Sequence, residues 1–170
     1  LQKSPPGAFS ALLSAAQEAG VSAVVDTSGA ALREALAFRP LLIKPNGEEL
    51  CELFGRQAST PEALLALAQR AQTLGARNVL VSMGAEGGIL VTREEVYAAH
   101  IPPLEVVSTV GSGDAAFAGA LCALEKGMDK RLILQTAMSC GAINAKIGGN
   151  GSVVLQEFRN EASKISVIPI

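Results

Sequence analysis

What most constrains the fold of this chain is an alternation. Short apolar runs of strand length are separated by longer stretches in which apolar residues recur at helical spacing. Runs at 21–25, 41–43, 78–82, 89–92 and 165–168 read as strands, and 96–99 as a further edge strand. Between them lie a helix carrying Phe9, Leu12, Leu13 and Ala16 on one face, stopped at Gly20, and helices at 30–37 and 46–54, the latter stopped by Gly55. Thr60-Pro61-Glu62 opens another, with an N-cap and proline at the first helical position, and Leu64, Leu67, Ala68 and Ala71 make its stripe. Helices at 115–124, 130–146 and 156–163 follow. Such alternation predicts an α/β fold: a three-layer α/β/α sandwich around a mostly parallel sheet covered on both faces. Ligands of such folds sit beyond the carboxyl ends of the strands. Asp26, Asn46, Ser82 and Gly111 each lie just past an expected strand end, which predicts that they share one rim.

Composition narrows the function. At 170 residues with 49% apolar content the chain has material for one domain, or a large piece of one, with a substantial core. A net charge of −2 argues against nucleic acid as a partner, and a chain with no Trp and one Tyr lacks base-stacking platforms. Cys51, Cys122 and Cys140 are odd in number, lack C-x-x-C spacing and lie in apolar helical surroundings. They read as reduced, buried thiols of a cytoplasmic protein. No signal peptide is visible, and the longest apolar run, 115–124, is half the ~20 residues of a membrane span.

The chemistry concentrates at Ser108-Thr109-Val110-Gly111-Ser112-Gly113-Asp114. With Leu104, Val106, Val107 and Val110 as apolar lead-in, it reads as a strand end, a glycine turn and a helix with an acid in its first turn. Phe117, Leu121 and Leu124 supply an apolar face of that helix, and Gly127 is placed to end it. Two glycines let backbone N–H groups converge, and the helix N-terminus adds roughly half a positive charge there. A carboxylate beside an anion site suits phosphoryl transfer to a hydroxyl: amides stabilise the transferring group while the acid accepts the hydroxyl's proton. A helix-capping Asp after a glycine turn explains the same residues without catalysis. Gly111-x-Gly113-x-x-Ala116 also loosely matches the dinucleotide fingerprint. That motif wants an acid at the end of the next strand, about 20 residues on, whereas Glu125 and Asp129 fall at a helix end and in a turn.

The whole stretch closely resembles the C-terminal signature of the ribokinase-like (PfkB) carbohydrate kinases, Asp/Ser-Thr-x-Gly-Ala/Ser-Gly-Asp before a small-residue helix. The resemblance implies Asp114 as catalytic base and the amides of Gly111, Ser112 and Gly113 as anion hole. It implies ATP and Mg²⁺ as cofactors, and a small sugar phosphate as substrate. Lys44-Pro45-Asn46-Gly47-Glu48-Glu49 is similar to the family's Lys-Pro-Asn-x-x-Glu motif, which places Lys44 and Asn46 near the nucleotide and Glu49 near the metal. Asn46-x-x-Glu49 is equally the spacing of a capping box, and a capping Glu can also hold a metal-bound water. Ser82, Met83, Gly84, Ala85, Glu86 and Gly87 resemble the family's nucleotide-binding loop, although an ordinary hairpin turn accounts for them too. Asn144 resembles a position flanking the adenine pocket; Lys146 is better read as a solvated helix end.

Asp26-Thr27-Ser28-Gly29 reads as a helix cap. Its place after this strand resembles the 1-phosphofructokinase and tagatose-6-phosphate kinase branch, with fructose 1-phosphate or tagatose 6-phosphate as the implied acceptor. His100 reads as an exposed loop residue, and with one His and no G-x-S-x-G a hydrolase triad is disfavoured. The resemblance covers nearly all of the chain as the C-terminal, nucleotide-binding and catalytic part of one ribokinase-like domain, 1–170. Leu1 to Gly7, without an initiator Met, look like the tail of the family's Gly-Ser-x-Pro-Pro-Gly segment. We therefore expect that an N-terminal part is missing, carrying most sugar contacts, the lid and a homodimer contact. A non-catalytic nucleotide-binding module of the same fold is the alternative.

Overall fold

The structure, a computed structural model, describes residues 7–148, 151 and 153–170. The expectations placed on Leu1 to Pro6, Gly149 and Asn150 lie outside the described residues. The elements run α1 (Ala8–Glu18), β1 (Val24–Val25), α2 (Gly29–Leu36), β2 (Leu42–Ile43), α3 (Gly47–Phe54), α4 (Pro61–Thr73) and β3 (Val79–Ser82). They continue with β4 (Gly88–Val91), β5 (Val96–His100), α5 (Ser112–Glu125), α6 (Lys130–Ile147), α7 (Leu155–Ala162) and β6 (Ser166–Pro169). This is an α/β fold with a six-stranded mixed sheet in the order β1-β2-β3-β4-β5-β6. Strands β1, β2 and β3 pair in parallel, Val24 opposite Leu42 and Ile43 opposite Val79, whereas β6 runs antiparallel to β5. Strand β5, expected at the edge, is flanked on both sides, and β6 takes the edge. No helix among the described residues is long and apolar enough to cross a membrane.

Two compact units make up the chain, Leu1–Val81 with Val91–Arg93, and Ser82–Leu90 with Glu94–Ile170. In the first, Leu32, Leu42, Ile43, Leu50, Leu53 and Val79 form a fully buried core. Local signals set its helices. Thr60 Oγ1 accepts from the Ala63 N–H at 3.3 Å to start α4, and all four expected stripe positions are buried. Gly55 ends α3 in the left-handed conformation, φ 60°. Two expectations fail here. Val21 lies exposed outside β1, because its N–H donates to Ala16 O at 2.8 Å and closes the end of α1 instead of joining the ladder. Leu12 is also exposed: α1 packs against α2, and Leu13 alone of its residues is buried.

In the second unit, α5 and α6 pack through small residues. The buried face of α5 is Ala115, Ala116, Gly119, Ala120 and Ala123, while the expected face of Phe117, Leu121 and Leu124 is only half-buried. The cause is the close approach of the helices. A Cβ on Gly119 would lie 2.8 Å from Cys140 Sγ and 3.0 Å from Thr136 O, and one on Gly141 3.2 Å from Ser112 O.

The expected strand before the glycine turn is absent. Pro102 and Pro103 have no N–H for a ladder, and the Val107 and Ser108 amides both donate to Ala145 O, at 2.8 and 3.2 Å. Val106, Val107 and Val110 are consequently exposed, and Gly111 follows irregular backbone rather than a strand. His100 is exposed but ends β5, opposite Ser166. The cysteines differ from the uniform expectation: Cys140 is buried, Cys51 half-buried and Cys122 exposed.

Candidate active site

Helix α5 begins earlier than its apolar pattern suggests, at Ser112, because Gly111 adopts φ 78° and turns the chain into it. That left-handed conformation disfavours residues other than glycine. The Ser112 N–H donates to Thr109 O at 3.1 Å, and the Ala115 N–H closes the first helical bond on Gly111 O at 2.9 Å. Gly113 and Asp114, second and third in the helix, have N–H groups without an intrahelical acceptor. They add to the positive end of the helix dipole. The Asp114 side chain is exposed, and Gly111 makes the turn as N-cap without a side-chain cap.

Behind this turn stands Asn144 of α6, fully buried. Its Nδ2 donates to Val110 O at 2.8 Å and to Ser112 Oγ at 3.1 Å, and its Oδ1 accepts from the Gly151 N–H at 2.7 Å. The structure thus joins Gly111, Ser112, Gly113, Asp114 and Asn144 in one assembly. From sequence, Asn144 carried no sign of this contact, since Val110 and Ser112 lie far from it along the chain. Lys146, expected as a solvated helix end, is instead paired. Its Nζ lies 2.7 Å from Glu161 Oε1 and 3.7 Å from Glu157 Oε2, and Glu161 also takes Lys164 at 2.9 Å. The hydrogen bond from Lys146 holds the buried Glu161 carboxyl below its ordinary range although burial opposes it, and the same bond raises Lys146.

Residues Ser82 to Gly87 of the same unit leave β3 through a 3₁₀ turn over Gly84–Glu86. The Met83 N–H donates to Gly87 O at 2.9 Å and the Gly87 N–H to Gly84 O at 3.2 Å, and Gly84, Ala85 and Glu86 are exposed. Gly87 has its own structural reason: at φ 104° its Cβ would stand 2.1 Å from Ala99 O of β5.

The remaining motif residues belong to the first unit. Asn46 and Glu49 form the capping box of α3 in full, Glu49 N–H to Asn46 Oδ1 and Asn46 N–H to Glu49 Oε2, each 2.8 Å. Buried Lys44 pairs with Asp26 at 3.2 Å. Of the expected capping stretch Asp26-Thr27-Ser28-Gly29, Ser28 is the N-cap of α2, without a side-chain hydrogen bond. Glu49 is half-buried and retains a second carboxylate oxygen beyond the one engaged by Asn46. Among the described residues no group of three His, Cys, Asp or Glu could enclose a metal ion. The second Glu49 oxygen would suit a Mg²⁺ ion held mainly through phosphate and water, with few protein ligands.

Comparison with known proteins bears on the chain as a whole. Residues 1–156 match the family model for pfkB family carbohydrate kinases. A 1-phosphofructokinase of Haemophilus influenzae is 37% identical over 166 residues, 96% of this chain and 53% of that protein. The phosphofructokinase-2 of Escherichia coli, solved in complex with potassium, superposes with a TM-score of 0.86 at 29% identity, over 91% of this chain and 51% of that one. Arabidopsis thaliana ribokinase, solved with ribose and ATP, shares the fold with a TM-score of 0.81 at 24% identity, over 93% and 53%. The chain spans about half the length of the curated relatives it matches.

Proposed function

The chain belongs to the pfkB family of carbohydrate kinases, and from that premise we propose that it is the nucleotide-binding and catalytic part of a sugar-phosphate kinase. The reaction transfers the γ-phosphoryl of Mg·ATP to a hydroxyl of a phosphorylated ketohexose of the fructose 1-phosphate or tagatose 6-phosphate type. Identity to 1-phosphofructokinases favours the former. A new P–O bond forms to the sugar oxygen as the bond to ADP breaks, and the hydroxyl proton passes to the Asp114 carboxylate. Mg·ATP, when bound, brings the phosphoryl group and neutralises part of its charge.

The protein supplies position and field. Asp114 lies exposed in the first turn of α5, where an acceptor hydroxyl can reach it. The Gly111 to Gly113 turn and the helix N-terminus stabilise charge on the phosphoryl oxygens. By their motifs, Lys44 and Asn46 in the first unit and the Ser82 to Gly87 loop in the second are each assigned to the nucleotide, and the second oxygen of Glu49 would hold a metal-bound water. The chain is read as part of a single ribokinase-like domain, and a homodimer is proposed for the whole protein.

The observation that carries this reading is the exposed Asp114 carboxylate beside N–H groups that the helix leaves without acceptors. ADP release by the full gene product, coupled to NADH oxidation across a panel of sugar phosphates, tests it. Turnover that requires fructose 1-phosphate or tagatose 6-phosphate supports the reading, and turnover with neither sinks it. ATP binding without sugar-dependent turnover would favour a nucleotide-binding module of the same fold.

A further inference from the structure

Resting on that assignment of the turn, we propose that Asn144 is a positioning residue of the reaction: its carboxamide grips both sides of Gly111 and so aims Asp114 and the neighbouring amides. Its Nδ2 donates to Val110 O, immediately before the left-handed glycine, and to Ser112 Oγ, immediately after it. Between those anchors the glycine cannot rotate without breaking one of them. The direction of the first turn of α5 follows. On the other side, Asn144 Oδ1 takes the Gly151 N–H at 2.7 Å, tying the α6–α7 connection to the same group.

Plain packing does not explain an asparagine here. The neighbouring positions of α6, Ala142, Ile143 and Ala145, are buried and apolar. A fully buried carboxamide in that row has poorer helix propensity than alanine and is costly to desolvate unless its bonds are made. Two of its bonds go to the turn and one to Gly151. Asn144 itself touches no reacting atom, so its effect passes through Val110 and Ser112.

The test compares Asn144→Ala, Ser112→Ala and the double variant in the full gene product, by steady-state kinetics and by amide hydrogen exchange. Loss of the clamp orphans the Val110 carbonyl, and kcat is expected to fall about tenfold or more, with KM for the sugar phosphate changing less than about threefold. The double variant is expected to be little worse than the poorer single one, because both remove the same contact. Exchange is expected to quicken across residues 110–115 and to stay unchanged in α4. Asn144→Asp keeps the acceptor for Gly151 but turns an oxygen toward Val110 O, and is expected to be at least as impaired as alanine. A kcat for Asn144→Ala within about threefold of the parent, additive effects in the double variant, or exchange quickened everywhere alike would each overturn the proposal. Should Asn144→Ala not fold, Ser112→Ala decides alone: a loss of kcat with local exchange sustains the clamp, and parent-like kcat ends it. A parent without sugar-dependent turnover refutes the kinase assignment instead, and exchange at 110–115 still decides the role of Asn144.

Discussion

Asp114→Asn keeps the shape of the first turn of α5 and removes only the capacity to take a proton. In the full gene product kcat is expected to fall about 10²–10⁴-fold, while calorimetry shows ATP affinity within a few-fold of the parent. A variant that keeps a third of the parent kcat removes Asp114 from the role of base. The three cysteines give a second prediction at this scale. Burial, with a smaller contribution from Cys122, pushes the Cys140 thiol up to about 11, so its reactive thiolate is scarce at pH 8. Iodoacetamide under native conditions is expected to label exposed Cys122 first and leave Cys140 untouched, read by peptide mass spectrometry. Equal labelling of the two would contradict the packing of α6. Sequence spacing revealed the Asn46–Glu49 capping box because donor and acceptor lie three residues apart. It was silent about Asn144 and about which thiol is covered, since those depend on partners met only after α5 and α6 pack.

Among the elements, α7 is fastened to the end of α6 by one buried carboxylate. Glu161 accepts from Lys146 and Lys164 at once, so Glu161→Gln keeps the volume and discards the charge. Thermal unfolding at pH 7 is expected to show a loss of about 1–3 kcal/mol. The sign of its pH dependence follows from the depressed Glu161 carboxyl. Its contribution is present above the ordinary glutamate value of about 4.3 and disappears as pH falls through the lower folded value. Parent and variant should therefore converge in acid. A gap that persists in acid after the folded carboxyl has taken its proton would place the effect elsewhere than in this ion pair. Elements with local punctuation were legible: α3, α4 and α6 lie where caps and glycines put them. The segment before Gly111 was misread as a strand because valines signal β structure in general. Two prolines, and the pull of the Ala145 carbonyl on the amides of Val107 and Ser108, decided otherwise.

At the scale of the whole molecule, the chain carries the proposed base and phosphate-binding turn but only about half the length of its curated relatives. Prepared alone, it is expected to bind Mg·ATP at least weakly by calorimetry and to release no ADP in response to fructose 1-phosphate or tagatose 6-phosphate. Positioning the acceptor is a large part of catalysis, with effective molarities reaching about 10⁵ M or more. Brisk sugar-dependent turnover by the 170 residues alone would show that they position it unaided.

The antiparallel pairing of β5 with β6 bears on how such a chain acquires its shape. Tyr97 to His100 meet Ser166 to Pro169 only after everything from Ile101 to Ile165 has been made. The Gly111 turn, α6 and the Glu161 fastening all lie inside that loop. Strands β1 and β2, by contrast, are joined by one short helix. Closing the longer loop carries the greater entropic cost, and on a ribosome it must wait until β6 has emerged. The Gly111 turn thus lies inside a loop closed by a pairing that cannot form until β6 has been made.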